Sequence, residues 1–295
     1  MKSALEEKLE QLKSGAGQET AAVVAQNSIA AVAQNYDKLN FVTPIEVVDL
    51  PSEGRFYPEN HPLHNQKTIE IRQMTAKDED ILTNRSFIKK GIVIDKFIES
   101  IIVNKSIPVH TLLVGDKNAI VIAARITGYG QSYDVSVLCS ECGTKNNRRV
   151  DLNDAVVNKG ITALEGSEDS AILPNGNILL KLPKTAWIVE CKILNGEDEI
   201  ALLKMAEEKK RNSTIEDITG TQQLQIIVKS INGVADKDIV EKGIGAMPAA
   251  DAKHLRKKYQ ELIPDIKIKH KFACELCLTV QDVEVPFTQE FFWPK

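Results

Sequence analysis

Cys139-Ser140-Glu141-Cys142-Gly143 and its distant echo Cys274-Glu275-Leu276-Cys277 hold four of the five cysteines of the chain. Two thiolates separated by two residues can grip one metal ion from a tight turn, and two such turns complete the tetrahedral sulfur shell that zinc prefers. The pairs lie much further apart than the halves of an ordinary double-pair motif. Their flanks bring them together: Tyr133, Val135 and Val137 interleave with Ser132, Asp134 and Ser136 before the first pair, and Val150 and Leu152 follow it. Ile266, Ile268 and Phe272 alternate with Lys267, Lys269 and Lys271 before the second, and Val283, Val285 and Phe287 follow. This is the period of strands. Each pair therefore tips a hairpin, and one Zn2+ held by Cys139, Cys142, Cys274 and Cys277 would clamp the two hairpins as a split zinc ribbon.

Gly143 suits the left-handed backbone that such a turn needs, whereas Leu278 at the equivalent place does not. Two other readings of the cysteines stand beside zinc: reduced, buried thiols, and redox pairs. A thioredoxin-like pair opens a helix in a βαβ unit, and neither pair does so. His270, on the apolar side of its strand, reads as a packed histidine, and Cys191 as a small buried apolar residue.

With 295 residues and 43% hydrophobic content the chain can hold one large or two modest domains. Its 41 acidic and 37 basic side chains give a formal charge of −4, so no global field draws it to nucleic acid or membrane. Neither a signal sequence nor a bilayer-spanning apolar run is seen, so synthesis in a reducing compartment is expected, which favours metal over disulfide.

The expected fold class is α+β, helical blocks with short antiparallel hairpins. Residues 1–41 read as a helical N-terminal extension that packs on a neighbour. Residues 42–155 form a first α+β half, 156–170 a linker, and 171–295 a second half that ends in aromatics. Within the first half, Thr68 to Met74 alternates as a strand, Thr75 caps a helix through Ile81, Gly91 to Val103 has helical spacing, and Asp116 opens an apolar helix that Gly128-Tyr129-Gly130 ends. In the second half Pro174-Asn175-Gly176-Asn177 is a turn, helices run from about Glu197 to Lys210 and Thr221 to Ser230, and Pro248 begins another. Phe56 and Tyr57, in a proline- and glycine-punctuated loop, and Phe291, Phe292 and Trp293 at the terminus must be buried, in this core or against another subunit. They are the candidate partner contacts.

No acid–base pair, nucleophile triad, Walker loop, dinucleotide fingerprint or His-Glu-x-x-His motif occurs. Four thiolates would also close the metal shell, with no position for an activated water. The residues point to a protein that is not an enzyme.

The order of motifs resembles a known family. Pro51-Ser52-Glu53-Gly54 with Tyr57-Pro58, Met74 to Thr83, Leu113-Val114-Gly115-Asp116, Arg125 to Gly130 and the first cysteine pair are similar to the baseplate hub subunit family of T-even-type contractile-tailed phages. Ile231-Asn232-Gly233-Val234, Met247-Pro248, Leu255-Arg256, the second pair and Phe291-Phe292-Trp293-Pro294 continue the match, which runs from Val42 to Lys295. The resemblance implies a non-catalytic structural component of the tail baseplate in its hub region, made in the host cytoplasm and carried in the virion. Its partners would be other baseplate and tail proteins, with self-association a further expectation. A dissociable hub assembly chaperone is the alternative, and a zinc-ribbon nucleic-acid binder a second one. The zinc site is inferred from the cysteines themselves and not from the family.

Overall fold

The computed structural model describes residues 43–160, 169–211, 220–284 and 289–292. The chain divides into two units, Met1–Thr43 and Pro44–Lys295, and the description that follows is of the second. The expected N-terminal helices, and Trp293, lie outside the described residues.

The fold is α+β, with its strands in short antiparallel sheets. Strand β1 (Ile45–Asp49) pairs with β2 (Thr68–Arg72), and the alternation read from the sequence places Ile69 and Ile71 inward. Three short helices follow, α1 (Ala76–Leu82), α2 (Arg85–Lys89) and α3 (Val93–Ile101). Helix α1 starts at the expected Thr75 cap, but the bonds run to Asp78, whose carboxylate accepts from the Thr75 amide (2.9 Å) and hydroxyl (2.7 Å). Helix α4 (Val114–Tyr129) begins two residues before Asp116 and ends at Gly130, whose φ of +84° only glycine adopts without strain. It runs through the centre, burying Ala119, Ile120, Val121, Ile122 and Ala124. Gly115 allows its first turn to approach another segment closely, because a Cβ there would lie 2.1 Å from the Pro264 carbonyl oxygen.

Two hairpins carry the cysteine turns. The first is β3 (Ser132–Leu138) with β4 (Lys145–Asp151), after which β5 (Val156–Asn158) leaves. Its three residues fall in the stretch read as linker, and they pair with β10 (Asp265–Lys267). The second hairpin is β11 (Lys269–Ala273) with β12 (Val280–Glu284). The single strand expected from Ile266 to Phe272 is thus two, split at buried Ile268, where the chain changes partner from β5 to β12. Between these lies a four-stranded sheet of β6 (Ser170–Ile172), β7 (Ile178–Lys181), β8 (Ile188–Cys191) and β9 (Val228–Ile231). Helices α5 (Gly196–Arg211), α6 (Gly220–Ile227), α7 (Lys237–Ala246) and α8 (Ala249–Leu262) accompany it. The helix expected through Ser230 stops at Ile227: Val228 and Ser230 point inward with the period of a strand, and pairing with β8 overrides helical propensity. Helix α7 is an element the sequence reading passed over.

Buried side chains from both sides of residues 161–168 join one apolar cluster, and Phe291 and Phe292 belong to it. A second, small cluster of Val137, Cys139, Phe272 and Cys274 sits in the paired hairpins. Among the described residues no helix is long and apolar enough to cross a membrane.

Candidate metal centre

The two hairpins are fixed at their base by β5 against β10, so their tips converge. Cys139, Cys142, Cys274 and Cys277 bring their four sulfurs within 4.8 Å of one another. Cys139 Sγ lies 3.5 Å from Cys277 Sγ, and Cys142 Sγ 3.6 Å from Cys274 Sγ. Those separations are far too long for disulfides, whose S–S bond is about 2.05 Å. They are close to the ~3.8 Å edge of a tetrahedron built on metal–sulfur bonds of ~2.3 Å.

The turns are near-copies. In the first, the Cys139 amide donates to Thr144 O (2.9 Å) and the Gly143 amide to Cys139 O (3.0 Å). In the second, the Cys274 amide donates to Thr279 O (3.0 Å) and the Leu278 amide to Cys274 O (3.0 Å). The resemblance forces Leu278 into the left-handed backbone that Gly143 occupies freely, at φ +58° against +70°. Such a turn aims amide N–H groups at its first sulfur. The amides of Cys277 and Leu276 outweigh burial and draw the Cys274 thiol down to about 6. The Thr279 hydroxyl and amide likewise lower that of Cys277. At Cys139 the amides of Cys142 and Glu141 also favour the thiolate, but burial and the adjoining Cys277 and Cys142 thiols prevail and push it up to about 11. Crowded sulfurs cannot all ionise against their own repulsion, and a cation at their centre removes that obstacle.

Side chains that the sequence reading did not single out complete the site. The Asn146 carbonyl accepts from the Glu275 amide (2.9 Å), while its Nδ2 donates to Thr144 O (2.9 Å) and approaches Cys274 Sγ (3.6 Å). Gln281 mirrors it, accepting from the Ser140 amide (3.0 Å) and hydroxyl (2.7 Å) and donating to Leu138 O (3.2 Å). Each turn is thus stitched to the other by an amide side chain. Thr144 and Thr279 hydroxyls stand 3.3 Å from Cys142 and Cys277 sulfurs. The signal was legible: threonine and then a carboxamide follow each pair at the same spacing, in Cys139 to Asn146 and in Cys274 to Gln281. Arg148 ties the hairpins from outside, bonding Glu275 (2.5 Å) and Ala273 O (2.9 Å). The donor set and its surroundings therefore fit a zinc ion.

The aromatic candidates lie elsewhere. Tyr57 is buried with Phe56; its hydroxyl donates to Asp116 (2.8 Å) and accepts from the Leu113 amide (3.1 Å). Ser52 donates to the same carboxylate through its amide (3.0 Å) and hydroxyl (2.6 Å), so the Pro51–Pro58 loop is latched to the start of α4. Phe292 packs edge-on against Phe97 (4.9 Å between centroids), and Phe291 against Tyr133 (5.1 Å). All four rings are covered by the chain itself.

These features define an α+β protein whose motifs latch a core and join two hairpins by a four-cysteine cluster. The chain belongs to the family described as T4 bacteriophage base plate protein, whose model matches residues 45–293. No curated protein and no solved structure matches it.

Proposed function

We propose that this protein is a structural subunit of the hub region of a contractile phage tail baseplate, acting through protein contacts without catalysis and carried in the virion. Membership of the base plate family over residues 45–293 is the observation that carries this reading. The sequence motifs support a structural role, since Tyr57, Asp78, Asp116 and Arg125 are engaged in latches that hold the fold. Residues 1–41 are read as an extension that meets neighbouring subunits.

Within that role, Cys139, Cys142, Cys274 and Cys277 would hold one structural zinc per chain. A four-thiolate shell leaves no position for substrate, so the ion would supply cross-linking alone. The chain's own amides, Thr144, Thr279, Asn146 and Gln281 set the sulfurs in place for it. Quantitative mass spectrometry of purified virions tests the placement: stoichiometric recovery is expected, and absence from virions that require the protein for assembly would make it a chaperone. Elemental analysis of the purified chain tests the metal. About one zinc is expected, and unchanged zinc content in both Cys139→Ser and Cys274→Ser would remove the shared site.

A further inference from the structure

The two cysteine turns match in backbone but not in the side chains they show to solvent. Where the first carries Glu141, Gly143 and Lys145, the second carries Leu276, Leu278 and Val280, exposed by 71%, 74% and 67%. From Leu276 to Gln281 there is no charged residue. Leu138, 67% exposed, is brought alongside through the bond from Gln281 to its carbonyl. Three large aliphatic side chains on one turn, with a fourth beside it, are more than the scattered apolar residues of an ordinary surface.

Leu278 adds an independent observation. Its φ of +58° is a backbone conformation that glycine or asparagine adopts readily and leucine does not. The first turn meets the same requirement with Gly143, so folding calls for the left-handed backbone but not for a leucine to supply it. Strain of this kind marks a side chain kept for what it touches.

We propose that the Leu276–Val280 turn, with Leu138, is the chain's docking tip, and that its occupant is an uncharged apolar pocket on a different baseplate subunit. The choice of occupant follows from size and shape. The exposed apolar area is on the order of a few hundred Å2, below the roughly 800 Å2 a side of a stable pairwise interface. A two-fold dimer would have to bury this same patch on both copies, and the patch alone falls short of the area such an interface needs. A small, convex, uncharged tip suits insertion into a pocket within an assembly that contributes other contacts. This inference rests on the baseplate reading and names the surface that serves it.

The test supplies full-length variants to phage lacking their own copy and measures the protein in purified baseplates, alongside its melting temperature and zinc content in isolation. Leu276→Ser/Leu278→Asn is expected to keep both solution properties and to reduce incorporation at least tenfold. The matching change on the other turn, Glu141→Ser/Gly143→Asn, should incorporate as the wild type does. If the leucine variant loses its metal, Leu138→Thr/Val280→Thr, whose positions lie in β3 and β12 outside the segments between the paired cysteines, decides by the same readout. Equal incorporation of leucine variant and wild type, or equal loss in both turns, overturns the proposal. So does a concentration-dependent dimer in sedimentation that Leu276→Ser/Leu278→Asn abolishes, since the occupant is then a second copy. Absence of the wild-type chain from baseplates overturns the baseplate reading and the docking tip with it.

Discussion

Asp78 shows how a single buried carboxylate organises its surroundings. Burial alone would raise its pKa, but paired bonds from Arg72 (2.6 and 2.8 Å), with Ser100 (2.6 Å) and Thr75, prevail and hold it well below the usual carboxylate range. A depressed folded-state pKa stabilises the fold above the unfolded value of about 3.9, and that stabilisation is lost as pH falls toward the folded value. Urea melts below pH 4 should therefore show stability falling with acid, and Asp78→Asn should be less stable at neutral pH with a shallower acid limb. Asn146 has a different task, holding the Glu275 amide and facing Cys274 sulfur. Groups that orient metal ligands typically contribute tenfold to a hundredfold in affinity. Asn146→Ala should weaken zinc binding by about that factor in a competition titration with a chromophoric chelator, while far-UV circular dichroism stays unchanged.

At the scale of elements, the short 3-10 turn Gln289–Phe292 closes the central core although it lies far along the chain from most of it. Its position depends on Arg125 of α4, which is fully buried and donates to the carbonyls of Phe291 (2.9 Å), Gly130 (2.7 Å) and Ser132 (3.2 Å). One guanidinium thereby joins the end of α4, the start of β3 and the terminal turn. Phe292→Ala would leave a cavity against Phe97 and is expected to cost about 3–5 kcal/mol, the range for a buried phenylalanine. A chemical denaturation curve matching the wild type would show that the ring does not stabilise this core.

For the whole molecule, the separation of one large apolar cluster from the small one in the hairpins has a consequence for metal removal. The hairpins' own cluster is too small to hold their tips, so the zinc and the amide stitches would carry that task. The large core and the β5–β10 pairing include none of Cys139, Cys142, Cys274 and Cys277. Stripping zinc with a chelator under reducing conditions should speed amide exchange in residues 136–148 and 269–284 by orders of magnitude. Helices α3 and α4 should keep their protection, as expected of units that open separately. Uniform loss of protection would mean that the metal holds the entire fold.

The local rules were readable along the chain because they act over a few residues: the Thr75 start of α1, the glycine end of α4, the alternation of β3 and β4, and the cysteine turns themselves. The pairing of Cys139 and Cys142 with Cys274 and Cys277 was also inferable, since four thiols in matched turns suit one ion. Other features depended on contacts between distant segments, which no local period records. The strand at Val228–Ile231 follows from the edge offered by β8, and the break at Ile268 from the change of partner between β5 and β12. Leu278 carries the same logic furthest: residue type argues against a left-handed leucine, and only the turn's hydrogen bonds impose one. The sequence by itself determined which groups could bind, cap and turn, because those are properties of residue type and spacing. The tertiary structure alone decided which aromatics are enclosed and which leucines stand in solvent, because burial is a property of the whole packed chain.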